Sequence, residues 1–279
     1  MTAARVAVLG RGLVPTGEPV LRGDDLGVLH GDGLFETIHL RAGRPWLLDE
    51  HLDRLGRAAV RMALPLPPRE ALVELLAAVA AGWPVEVEGA LRLVCTRGPE
   101  GGGPPSVFAT LAEVPPAALR ARRTGIDVVT LALGVPSTVR PDLAWLPSGV
   151  KSTSYAVNSA ARRWAAGHGA EDVLWVSTDG YALEGPSANV VWLVGDTLCT
   201  VPADRTGILP GVTARWLLDQ APTIGLSPAE RLVTPAELRA ADAVWLTSSV
   251  RGLAEVRTLD GRRLPRAPQA VADLVHPPT

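Results

Sequence analysis

Apolar positions recur along this chain with two periods, and the places where one period gives way to the other mark its elements. Met1–Gly10 alternates like a strand, so Val6–Leu9 is expected to pair with Val20–Arg22 in a short hairpin. Leu34–Arg41 and Pro45–Leu48 form a second expected hairpin around Ala42-Gly43. Spacings of three and four then predict helices over Asp49–Ala63 and Arg69–Ala81. Leu91–Thr96 and Val107–Glu113 return to strand character on either side of Arg97–Pro105, a loop rich in glycine and proline. These elements make a small α+β domain over residues 1–116. Pro115-Pro116 and the arginine-rich Arg120–Arg123 predict a connector over 117–125.

A larger domain, 126–279, follows. Ile126–Leu133 reads as a strand and Ser154–Ala166 as a helix. Strand pairs flank Asp179-Gly180 and Gly195-Asp196, and a helix starts near Val212 after Gly207–Gly211. A helix over Pro235–Ala240 precedes the strand Ala243–Leu246. With no repeat of 20–50 residues, the pattern implies a mixed sheet-and-helix domain rather than a solenoid.

Composition narrows the function classes. The 279 residues are 47% hydrophobic, enough for substantial cores, and the net charge of −2 gives no basic excess for binding nucleic acid. The longest apolar stretch, Ala71–Trp83, is interrupted by Glu74 and is too short to span a bilayer, and no export segment is evident. Cys95 and Cys199 sit in apolar runs without metal-ligand spacing and read as reduced core thiols. A cytoplasmic protein with small-molecule ligands is the expectation, with neither a nucleic acid nor a membrane as partner.

Of 27 basic side chains, one is lysine: Lys151. A guanidinium stays protonated in proteins, whereas a desolvated lysine can lose its proton and attack a carbonyl, so Lys151 is the candidate nucleophile. An arginine-biased composition could equally leave one lysine on the surface by chance. Tyr155, four residues on, brings a phenol or merely a core aromatic. Glu184 closes a strand before Gly185–Asn189, where a carboxylate can hold a proton on a ring nitrogen or simply be solvated. Gly207–Thr213 leads into a helix, a setting for phosphate or for ordinary turn geometry. Thr247-Ser248-Ser249 offers three hydroxyls at a strand end. Arg54, on the first long helix, has Glu50 at i−4 as a plain helical partner. Taken together, these groups suit pyridoxal phosphate.

In this order the chain resembles the class IV aminotransferases, the fold-type-IV pyridoxal phosphate enzymes that include D-amino acid transaminases, branched-chain aminotransferases and 4-amino-4-deoxychorismate lyases. The resemblance rests on Gly31–Thr37, His51–Leu55, Lys151–Tyr155, Asp179–Asn189, Ile208–Thr213 and Thr247–Ser249. It implies a small N-terminal α/β domain, a larger C-terminal mixed sheet-helix domain, and a homodimer with shared active sites. It also implies roles. Lys151 would form the Schiff base and shuttle protons, Tyr155 would bond the cofactor's phenolate oxygen, and Glu184 would bind the ring nitrogen. Arg54, Val212, Thr213, Ser248 and Ser249 would hold the phosphate, and Leu209 would pack on the ring.

The resemblance further implies an amino donor and a keto acid acceptor, or the lyase reaction that releases 4-aminobenzoate and pyruvate. A cofactor carrier without turnover is the non-enzymatic alternative. D-Amino acid transaminases would carry an aromatic hydroxyl near Val28 and an arginine with a histidine near Gly102, and this chain has neither. His30, Arg97 and Arg251 are the candidates to replace that carboxylate trap, and Thr37 resembles the corresponding threonine of the lyases. The expected specificity is therefore relaxed and includes (R)-amines.

Overall fold

The computed structural model describes residues 3–275, so the outer ends of the two expected domains, residues 1–2 and 276–279, lie outside the described residues. The chain divides into two compact units. One holds the chain up to Pro115 together with Val150–Tyr155; the other holds Pro116–Gly149 and the chain from Ala156 onward.

The first unit is built on an antiparallel sheet of β1 (Arg5–Val8), β2 (Gly12–Val14), β3 (Gly33–Arg41), β4 (Arg44–Pro45), β5 (Gly89–Thr96) and β6 (Ser106–Glu113), in the order β2-β1-β6-β5-β3-β4 among the described residues. Between β2 and β3 lies the short helix α1 (Leu26–Leu29); α2 (Leu48–Arg61) and α3 (Arg69–Ala80) follow β4. Alternation along β3 buries Leu34, Ile38 and Leu40 against Leu52, Leu55, Leu72, Leu75 and Val79 of the two long helices, which recur at helical spacing.

Two expectations fail here. Val20–Arg22 is not a strand: β1 turns tightly at Gly10, which has φ +78°, and pairs with Gly12–Val14, while Pro15 and Pro19 keep the following segment out of the ladder. The strand expected over Pro45–Leu48 ends at Pro45, because Leu47 takes a left-handed conformation at φ 54° and starts α2 at the next residue.

The second unit holds α4 (Pro116–Thr124), β7 (Ile126–Ala132), α5 (Ala156–Gly167), β8 (Asp172–Val176), β9 (Glu184–Gly185), β10 (Ala188–Val194), β11 (Thr197–Thr200), α6 (Ala203–Thr206) and α7 (Val212–Gln220). It continues with β12 (Ser227–Glu230), α8 (Pro235–Ala240), β13 (Ala243–Ser248), β14 (Gly252–Leu259), β15 (Arg262–Arg263) and α9 (Gln269–Val275). Its mixed sheet runs β12-β11-β10-β13-β14-β7-β8, with β9 added to β10 and β15 to β14. Val190, Trp192, Val244, Leu246, Ala254 and Val256 from its central strands fill the core.

The connector expected over 117–125 is a correction, since most of it is α4. Pro116 stands at the first helical position, where its missing N–H costs nothing; arginine is a good helix former, and Gly125 at φ +70° ends the run. The helix expected from Ser154 starts two residues later at Ala156, because Thr153 and Ser154 both donate their hydroxyls to Gly31 O and are held outside the helix. Among the described residues, no helix is long and apolar enough to cross a membrane, and no group of His, Cys, Asp and Glu is placed to hold a metal.

Candidate active site

In the first unit the lysine segment lies alongside β3. Phe35 N donates to Lys151 O at 3.0 Å, Thr153 N donates to Gly33 O at 2.9 Å, and Leu34 faces Ser152 in an antiparallel bridge. Glycine is required where the segment passes: a Cβ on Gly31, itself at φ +67°, would come within 2.7 Å of Ser154 Oγ. The Gly31-Asp32-Gly33 signature is thus the footprint of the lysine segment. This close pairing sets Lys151 Nζ 4.5 Å from the centroid of the Phe35 ring, and Tyr155 meets the same ring edge-on at 5.4 Å. Tyr155 therefore precedes α5 and belongs to the lysine's surroundings rather than to a helix core.

The face of β3 that carries Phe35 and Thr37 adds a residue with no role in the sequence reading. Arg92 lies directly opposite Thr37 on β5, and its guanidinium is 5.4 Å from the Phe35 centroid. Both cations share one ring, so they are no more than about 10 Å apart. Arg92 is exposed and has no carboxylate partner among the described residues. The available signal was its register: Phe35, Thr37, Arg92 and Val94 alternate onto one face.

The opposite face of β3 carries Glu36, which joins Arg54 and His51 in a buried cluster. Arg54 Nε and Nη2 donate to the two Glu36 oxygens at 2.8 and 2.6 Å, and His51 Nδ1 lies 2.7 Å from Oε2. Burial alone would raise the Glu36 carboxyl, but Arg54 and His51 outweigh it and hold it at about 2. Burial pushes the His51 imidazole down, Glu36 opposes that, and the positive charges of Arg54 and Lys151 add to it. Arg54 thus turns inward to β3, not outward to Glu50, with its charge fixed by a side-on fork. Glu36 stood in the signature, yet its spacing revealed nothing of this.

The loop residues divide. Asp25, fully buried, accepts from Gly27 N, Thr96 Oγ1 and Ser106 Oγ, and so fixes α1, on which Val28 is 55% exposed; His30 follows, also exposed. Arg97 bonds both Asp32 oxygens and donates to the carbonyls of Met62 and Ala63 past the end of α2. Its donors are spent on holding two loops together, which leaves it a poor carboxylate trap.

The second unit gathers the other candidates around β10. Asn189 pairs with Glu184 on one side and Thr247 on the other. Leu209 is held from both sides, its N–H donating to Glu184 Oε2 at 3.1 Å and its carbonyl accepting from Asn189 Nδ2 at 2.8 Å. The chain then enters α7 through Gly211, where a Cβ would lie 1.9 Å from Asn189 Oδ1. No side chain caps α7, and the buried Thr213 hydroxyl in its first turn has no hydrogen-bond partner among the described residues. Free N–H groups at a helix start beside an orphaned hydroxyl are an anion receptor. Ser248 and Ser249 follow Thr247 at the end of β13. Arg251 is not presented to solvent as a trap: its Nη1 donates to Asp172 Oδ2 at 2.6 Å, and its Nε and Nη2 are buried.

Residues 33–259 match the amino-transferase class IV family. A bifunctional aminodeoxychorismate lyase / D-amino acid transaminase of Mycobacterium tuberculosis is 39% identical over 97% of both chains. A hypothetical aminotransferase of the same organism, solved in a PLP-bound form, is 40% identical with a TM-score of 0.94, over 98% of this chain and 97% of that one. A fold IV transaminase of Curtobacterium pusillum is 39% identical with a TM-score of 0.90, over 97% of this chain and 95% of that one.

Proposed function

This chain belongs to the class IV aminotransferase family, and we propose that it is a pyridoxal phosphate-dependent transaminase acting on D-amino acids. The residues fit the cofactor: one lysine held beside β3, a strand-end carboxylate, an uncapped helix start and an orphaned hydroxyl. Bound pyridoxal phosphate supplies an aldehyde that condenses with amines and a ring that delocalises the negative charge left at the substrate Cα.

The chain's own groups do the rest. Lys151 Nζ would hold the cofactor, and once freed it would take the proton from Cα and deliver it to the former aldehyde carbon, as transamination requires. The Glu184 carboxylate, oriented by the Leu209 N–H, would hold a proton on the ring nitrogen. Tyr155 would bond the phenolate oxygen, and Leu209 would pack on the ring. By the family resemblance, Val212, Thr213, Ser248, Ser249 and Arg54 would hold the phosphate. Arg92, whose position relative to Lys151 carries the choice of an amino acid over a plain amine, orients the carboxylate.

A single exposed arginine grips less than a set of enclosed donors, so some (R)-amines enter as well. The lyase reading is favoured by Thr37 opposite Arg92 and by the bifunctional M. tuberculosis relative. A homodimer in the cytoplasm completes the proposal. Incubation with D-alanine and α-ketoglutarate tests it: transamination gives pyruvate and glutamate. Formation of 4-aminobenzoate from aminodeoxychorismate, with no glutamate from D-alanine, would select the lyase reading instead.

A further inference from the structure

The turn that carries Ser249 is a three-residue hairpin loop, and it closes without help. Ser248 pairs with Gly252, which takes φ +67°, and Thr247 Oγ1 donates to Gly252 O at 2.9 Å. Yet two arginines and a buried carboxylate are committed to it. Arg122 on α4 donates through Nε to Arg251 O at 3.0 Å and through Nη2 to Val250 O. Arg251 itself reaches Asp172 at the start of β8, whose other oxygen accepts from Val173 N at 2.9 Å. Asp172 is only 1% exposed, and Arg251 keeps two buried donors without a partner among the described residues.

Burying charge so incompletely is a poor way to stabilise a turn that its own ladder already closes; fixing the turn in one place is what such pairs can provide. We propose that Arg122 and the Arg251–Asp172 pair are positioning residues, which hold the Ser248–Ser249 hydroxyls where the cofactor's phosphate is bound. This rests on the cofactor reading above. It also gives a use to the arginine-rich segment that sequence alone presents as a connector.

The test titrates the full chain, stripped of cofactor, with pyridoxal phosphate and with pyridoxal, which lacks the phosphate. Arg122→Met should weaken pyridoxal phosphate about tenfold or more, leave pyridoxal within about twofold, and shift the 31P resonance of the bound phosphate. Arg122→Lys, which keeps one donor, should recover part of the loss, and the isosteric Asp172→Asn should repeat it should the methionine variant fold poorly. Equal weakening of both ligands with a matching fall in Tm would overturn the proposal and leave the pair as scaffolding; so would unchanged affinity. Ser249→Ala separates the two levels. If it leaves the ratio of the two affinities unchanged, the placement of phosphate at this turn fails, whatever Arg122 does.

Discussion

Replacing Arg92 with methionine removes one guanidinium while keeping an apolar stem of similar length over the Phe35 ring. Arg92 sits across from Thr37 on the face of β3 where the Lys151 amine lies over the Phe35 ring, and no acidic side chain among the described residues competes for it. A charged hydrogen-bonded contact to a carboxylate contributes roughly 1.5–3 kcal/mol. Arg92 is exposed in the chain, so screening brings the expectation to about 2 kcal/mol, a fall of roughly thirtyfold in kcat/KM for D-alanine. (R)-1-Phenylethylamine has no carboxylate, and its kcat/KM should stay within about threefold. Steady-state kinetics on both substrates, with Tm as a control for folding, give the comparison. An equal loss on both would show that Arg92 only supports Phe35 and the lysine segment. An unchanged rate with D-alanine would show that the carboxylate is held elsewhere.

Glu184→Gln should leave cofactor binding largely intact but slow Cα proton removal by about 10²-fold or more, measured as the rate of a single turnover with D-alanine; an unchanged rate would place the ring-nitrogen contact elsewhere. The Glu36 carboxyl, held at about 2 against an ordinary value of 4.5, contributes stability that is complete above about pH 4.5 and disappears as the pH falls towards 2. Acid titration followed by near-UV circular dichroism should therefore show Glu36→Gln losing much of the wild-type dependence on pH in that window, and a variant with the same acid midpoint and slope would refute the assignment.

Strands were legible where one face is buried. β6 alternates cleanly, and β3 and β5 place Leu34, Ile38, Leu40, Leu91, Leu93 and Cys95 at every second position or nearly so, because one face packs on α2 and α3. β14 was missed because its alternation is broken at Ala254 and by a shift of register between Val256 and Thr258. The lysine was legible from composition, but its seat was not: residues 151 and 35 are brought together by a strand bridge that no local pattern announces. Arg92 reads as a solvated outward position until the register places it beside Phe35. Arg97 and Arg251 illustrate the converse. Both looked available as isolated cations, and both are held by buried or half-buried acids, Asp32 and Asp172, that stand 65 and 79 residues away in sequence.

The central claim is that Lys151 is the amine to which the cofactor is joined. Borohydride reduction of the holoenzyme, followed by proteolysis and mass spectrometry, should place one phosphopyridoxyl group on Lys151, and Lys151→Arg, which keeps the charge but not the nucleophilic amine, should show neither the label nor activity. A label on the N-terminal amine in place of Lys151, or full activity in the arginine variant, would contradict it.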